Sequence, residues 1–230
     1  MKAKRNRPPI TIRDAGPRDI DTVIELATAA DPQGAKDPTS FNDTRYALSR
    51  PPSGPLSHYR SLAILAEDSD GRPLGALLGG APNWVYMHDG LDHPALRGPL
   101  TSLLERIGNI SAVAAHPDHR GRGVGTELVR HAARRFTRAG YGLLTLNFRT
   151  GLDGYYRRLG FTMMRTLNVH LGSGYTVGQQ WEESRIAAKP LDRYTSLADV
   201  PGLASPVVSG ILPNSGLPKS AHFDGQSLRF

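Results

Sequence analysis

Cysteine is absent from all 230 residues, which excludes disulfides, thiolate–zinc sites and a cysteine nucleophile. Only 7% of residues are aromatic, and no apolar run approaches the roughly 18–20 residues of a membrane span. Behind the basic start, Met1 to Pro9, there is no apolar signal-peptide core. A cytoplasmic protein with no membrane partner is therefore expected. No Gly-Lys-Ser/Thr tripeptide occurs, so a P-loop is excluded, and no internal repeat is visible. What the chain has in excess is positive charge. A formal +7 points to nucleic acid, phosphate-bearing ligands or acidic partners, and the placement of the charge decides among them.

The length suits one domain with extra segments. Residues 1–9 read as a flexible basic tail and 10–195 as the folded domain, with 81–108 as an insertion. Residues 196–230 read as an arm in which 14 of 35 residues are Ser, Pro or Gly. Ile10 to Ile12 alternates like a strand, and Ile20, Val23, Ile24 and Ala27 recur at helical spacing. Leu62 to Ala66 and Pro73 to Gly79 read as a hairpin across Asp68-Ser69-Asp70-Gly71. A helix is expected over Pro99 to Ile107, a strand over Ile110 to Ala115, and a long helix with Val124, Leu128, Ala132 and Phe136 on one stripe up to Gly140. A strand over Leu143 to Phe148, a short helix over Leu152 to Leu159 and a last strand region over Phe161 to Leu171 follow. Strands interleaved with helices, plus an early hairpin, indicate an α/β or α+β domain with a mixed sheet.

The most informative stretch is Ile110-Ser111-Ala112-Val113-Ala114-Ala115-His116-Pro117-Asp118-His119-Arg120-Gly121-Arg122-Gly123-Val124-Gly125-Thr126. It runs strand, glycine-rich turn, helix. Glycines admit close backbone approach to an anion, and the helix N-terminus adds partial positive charge. Residues 118–138 hold six arginines against Asp118 and Glu127, a net +4. So concentrated a charge favours a phosphate-bearing small ligand over nucleic acid, which needs arginines spread along a groove with interleaved aromatics. A dinucleotide fingerprint fails, because its third glycine would fall at Thr126.

This register resembles that of the GNAT superfamily of acyl-CoA N-acyltransferases. The family signature Arg/Gln-x-x-Gly-x-Gly/Ala is matched by Arg120, Gly123 and Gly125, behind a His-Pro-Asp-x-Arg-Gly run. Downstream, Tyr155-Tyr156-Arg157-Arg158-Leu159-Gly160-Phe161 is similar to the family's Tyr-x-x-x-Gly-Phe close. The resemblance spans residues 10–165 and implies a mostly antiparallel central sheet flanked by helices, with a splayed coenzyme-binding strand. It implies acetyl-CoA as co-substrate, its pyrophosphate on the backbone N–H groups of Arg120, Gly121, Arg122, Gly123, Val124, Gly125 and Thr126. It further implies that the pantetheine arm pairs along Val113, Ala114 and Ala115, and that the Tyr156 hydroxyl protonates the departing thiolate. Two departures stand out: Arg149 occupies a position where many members carry Asn, and the 149–154 connection is short.

Acyl transfer to an amine needs a neutral amine, a positioned thioester, an oxyanion donor and an acid for sulfur. The base is the gap. Where some members carry a Glu, this chain has Ser111, which could order a water. Asn109, Asn147, His88, Asp89 and Glu105 are further candidates that read as structural, and His116 and His119 read as turn or phosphate contacts. The expected activity is N-acetylation of a small-molecule amine by direct attack in a ternary complex, with no metal. A protein or peptide amine and a non-catalytic acyl-CoA-binding module stay open as alternatives. The resemblance also suggests a homodimer, and the aromatic-rich 81–108 segment is either an acceptor-side lining or a surface insertion.

Overall fold

The computed structural model describes residues 9–30, 41–149, 151–172, 174–181 and 184–230. The expected basic tail lies, apart from Pro9, outside them. Two compact units form, residues 1–80 with 110–135 and residues 81–109 with 136–230.

In the first unit, β1 (Thr11–Asp14) pairs antiparallel with β2 (Leu62–Glu67), and β2 with β3 (Pro73–Gly80). The Asp68 carboxylate organises the hairpin turn by accepting from the N–H groups of Asp70 and Arg72, both at 2.9 Å. Helix α1 (Ile20–Ala30) presents Val23, Leu26 and Ala27 to Leu65, Ala76 and Leu78 in one core cluster, which Leu48 of α2 (Asn42–Leu48) completes. Arg13 fastens β1 to its surroundings. It donates to both Asp19 oxygens at 2.7 and 2.8 Å and to both Glu67 oxygens at 3.0 and 2.6 Å. Those bonds, above all, hold the Asp19 carboxyl below the usual carboxylate range.

The second unit begins with α3 (Asn83–Tyr86) and α4 (Pro94–Leu103). The 81–108 segment builds core here: Trp84, Val85, Leu100, Leu103, Leu104 and Ile107 are buried in one cluster with Leu143, Leu167 and Ile186. Tyr86 and Met87 are its exposed large apolar side chains. Helix α4 starts five residues before the expected helix, because His93 caps it by accepting from the Ala95 N–H and Pro94 sits at the first helical position. The chain then enters β4 (Ile107–Ala115), which starts three residues earlier than expected. After α5 (Val124–Arg138) come β5 (Leu143–Phe148), α6 (Asp153–Arg158), β6 (Thr162–Met164), β7 (Thr166–Gly172), β8 (Tyr175–Gln180) and β9 (Arg185–Pro190). The C-terminal stretch adds β10 (Ser196–Ala198), β11 (Val207–Ser209), β12 (His222–Phe223) and β13 (Leu228–Arg229).

Hydrogen-bonded neighbours in the large sheet follow the order β1-β2-β3-β4-β5-β9-β6. The β1–β2, β2–β3, β5–β9 and β6–β9 pairings are antiparallel. The architecture is thus the mixed, mostly antiparallel sheet with flanking helices that the sequence leads one to expect. A smaller sheet orders β10-β11-β7-β8, with β11 parallel to β7. No helix among the described residues is long and apolar enough to cross a membrane.

Candidate active site

In the first unit, the end of β4 leads into the glycine-rich turn. Ala114 is buried against the core, so only its backbone is available, while Val113 and Ala115 are half-buried and Ser111 is exposed. The His116 N–H donates to the Leu74 carbonyl at 2.9 Å, which fixes this end of β4 to the start of β3. Pro117 to His119 form a single 3-10 turn, and the His116 ring caps it through Nδ1. Gly121 and Gly123 then take φ of 73° and 89°, a left-handed backbone that a side chain would strain.

Helix α5 follows at once. Its first intrahelical bond runs from the Glu127 N–H to the Gly123 carbonyl, so the amides of Val124, Gly125 and Thr126 have no helical acceptor. Arg120 and Arg122 are exposed beside these amides. His119 adds a buried Nδ1 with no partner among the described residues. Unused N–H donors, a helix N-terminus and two guanidinium groups form a cradle for a doubly charged anion. Val124, Leu128, Val129 and Ala132 anchor the helix through a fully buried stripe.

Gly75 is a packing position beneath the turn that the sequence motifs do not include. A Cβ there would collide with the Ala114 carbonyl and come within 2.8 Å of Val124 Cγ1. Its absence lets β3 lie close under both β4 and the first turn of α5. The available signal was a glycine inside a strand pattern. Arg135 is a second: it donates to Asp14 Oδ1 and the Pro55 carbonyl, both at 2.7 Å, and ties α5 to β1.

In the second unit, Tyr156 lies in α6 with its ring among Phe148, Tyr155 and Phe161, at centroid distances of 5.1, 4.9 and 5.9 Å. Gly160 has φ of 82° and closes the helix, and the Phe161 N–H returns to the Tyr156 carbonyl at 3.1 Å. Lys189 Nζ caps the Leu159 carbonyl at 2.7 Å. This is the physical content of the Gly-Phe pair: a left-handed cap that folds the phenylalanine back onto the tyrosine. Burial pushes the Tyr156 hydroxyl up to about 12, with Tyr155 adding to the shift. It therefore stays protonated across the physiological range and is able to donate a hydrogen bond.

The model of the acetyltransferase (GNAT) family matches residues 22–161. Comparison with curated proteins finds no match. Among solved structures, the chain is similar to the PaiA N-acetyltransferase of Thermoplasma acidophilum in complex with coenzyme A, at 13% identity and a TM-score of 0.51, covering 79% of this chain and 99% of that one. It is also similar to the ribosomal-protein-S18-alanine N-acetyltransferase of Escherichia coli, at 17% identity and a TM-score of 0.50, covering 83% and 97%. A third is YncA of Salmonella typhimurium with its cofactor acetyl-CoA, at 18% identity and a TM-score of 0.50, covering 81% and 96%. At such identities the likeness is one of fold.

Proposed function

Because this chain belongs to the GNAT family of acetyltransferases, we propose that it transfers an acetyl group from acetyl-CoA to a primary amine of a small molecule. The observation that carries this is the cradle over residues 120–126, with unused amides at the start of α5 behind two left-handed glycines. Coenzyme A fits those donors as a pyrophosphate, and its pantetheine arm finds the backbone of Val113 to Ala115. The thioester supplies an activated acyl group. Strand amides of β4 hold its oxygen as charge develops there.

The family resemblance assigns Tyr156 to the departing sulfur, and its raised proton affinity defines what it can do there. Full proton transfer from a phenol near 12 to a thiolate of ordinary pKa, about 8.5, runs uphill. The hydroxyl therefore donates a hydrogen bond to sulfur as negative charge builds. The proton that ends on the thiol comes from the attacking nitrogen. Strand β4 carries no ionisable side chain, and Ser111 on its exposed face can order a water for that transfer but cannot act as a base itself. The same lack of a base is the one feature that favours a non-catalytic acyl-CoA-binding module.

Calorimetry with acetyl-CoA, followed by an amine panel monitored through thiol release, tests the assignment. Binding that raises the melting temperature is expected by mass action, as is its loss in Gly123→Val, whose side chain would block the approach of phosphate. Binding without thiol release for any amine would install the non-catalytic module in its place. No binding at millimolar coenzyme would remove both.

A further inference from the structure

The proposed transfer lacks a group that touches the incoming amine, and β4 and β5 hold a polar cluster that no step above uses. Thr145, on β5, is almost fully buried at 3% exposure. Its Oγ1 lies 3.1 Å from the Gly108 carbonyl and 3.2 Å from Asn109 Oδ1. A hydroxyl has one proton and cannot satisfy two acceptors at once. The two ends of a carboxamide exchange by a half-turn of its last bond, and the hydrogen-bond network decides which end faces where. Every contact is satisfied when Thr145 donates to Gly108 and the Asn109 amide nitrogen donates to Thr145. The Asn109 oxygen then turns away from Thr145 with its lone pairs uncommitted.

Where that oxygen goes follows from the strand. Along β4, Gly108 and Ile110 are buried, Asn109 is half-exposed and Ser111 is exposed. Alternation puts Asn109 on the face opposite the buried Gly108. On β5, Asn147 shares the face of Thr145 and is exposed. Within the second unit, Asn109 and Asn147 thus form an uncharged polar pair, with the buried Thr145 hydroxyl behind one of the two amides. We propose that Asn109 Oδ1 accepts a hydrogen bond from the N–H of the acceptor amine and that Thr145 is the positioning residue that aims it. This rests on the acetyltransferase assignment above and gives its acceptor side a first contact.

The chemical consequence is a choice of protonation state. A carboxamide oxygen accepts an N–H bond but takes no proton, so the amine must arrive neutral or lose its proton to water. The pH dependence of kcat/KM for the amine should accordingly follow the amine's own pKa. Asn109 orients the nitrogen lone pair by holding one of its hydrogens, and the attack forms the C–N bond as the C–S bond breaks, with the amine proton passing to the thiolate sulfur.

The test uses the full chain, acetyl-CoA and the best primary amine from a panel of alkylamines, arylalkylamines and amino acids. Asn109→Ala should lower kcat/KM for the amine roughly ten- to a hundredfold, as expected for one lost hydrogen bond in a desolvated complex. Its affinity for acetyl-CoA and its melting temperature should stay as in wild type. Thr145→Val should lower the melting temperature, because the Gly108 carbonyl loses a donor, and should also lower kcat/KM for the amine. In the double variant, Thr145→Val should cost no further kcat/KM, since its effect on the reaction passes through Asn109. Asn109→Asp keeps an outward oxygen and should recover more activity than alanine while adding an enzyme pKa to the pH profile. Wild-type kcat/KM in Asn109→Ala, or additive losses in the double variant, would overturn the inference with the acetyltransferase assignment intact. Failure of wild type to release thiol with any amine removes the assignment, and this contact falls with it.

Discussion

Tyr156 shows how a side chain's surroundings set its chemistry. Its ring is held by Phe148, Tyr155 and Phe161, and the burial that this requires pushes the hydroxyl up to about 12. In Tyr156→Phe the ring packing survives and the donor is lost. The cost should fall on kcat, roughly 10–100-fold, the worth of a hydrogen bond to a developing charge. Affinity for acetyl-CoA should be unchanged, and Tyr155→Phe serves as the control. Because the phenol ionises so high, Tyr156 should contribute no alkaline limb to kcat below about pH 11. Single-turnover measurements across pH check both points, and a limb near pH 10 that vanishes in the Phe variant would contradict the structure. The position of this tyrosine was legible in the sequence, five residues before Phe161. Its proton affinity was not, since an ordinary tyrosine near 10 is what the sequence alone suggests. The shift arises from burial beside Phe148, on a strand that the motif does not include.

Elements whose partners are local could be read, and those held by distant partners could not. Helix α5 has Gly123 and Gly140 at its ends and a continuous apolar stripe, and it forms where expected. Strands β8 and β9 had no such signal. Tyr175-Thr176-Val177-Gly178-Gln179-Gln180 becomes a strand by pairing with β7, and Arg185 to Pro190 by lying between β5 and β6. The early start of β4 has the same origin. Gly108 lies against the Phe136 ring so closely that a Cβ would come within 2.6 Å of its Cε1, and that ring is 28 residues away. Close approach also makes Gly75 an element-scale test. Gly75→Ala should destabilise the protein by about 1–3 kcal/mol through overpacking against Ala114 and Val124. Gly98→Ala is the counterpart with the opposite sign. It sits exposed inside α4 with nothing near its missing Cβ, and alanine should stabilise that helix by up to about 1 kcal/mol. Urea titration of both variants measures the pair, and equal effects would mean that β3 has room at Gly75.

For the molecule as a whole, the charge that first pointed to a phosphate ligand is divided between structure and surface. Of the arginines near the turn, Arg135 is spent on Asp14 and Arg130 on Glu127, whereas Arg120 and Arg122 remain exposed. The C-terminal stretch likewise has a structural share, with Val207 and Val208 fully buried as β11 pairs with β7. The last residue closes over the same strand. Phe230 meets His170 edge-on at 5.2 Å between ring centroids, and His170, only 3% exposed, has its proton affinity lowered by burial. A histidine whose folded pKa is depressed contributes stability in full above its unfolded value, about 6.5, and loses it as pH falls from there through the folded value. In that window the unfolded chain binds the proton first. The melting temperature should therefore decline as pH falls below about 6.5, well above the range where Asp19 titrates. His170→Gln should flatten that decline. Phe230→Ala, which uncovers the ring and lets its proton affinity recover, should make it shallower. Thermal unfolding followed by circular dichroism across this window separates the cases, and identical slopes in wild type and His170→Gln would assign the acid sensitivity to another group.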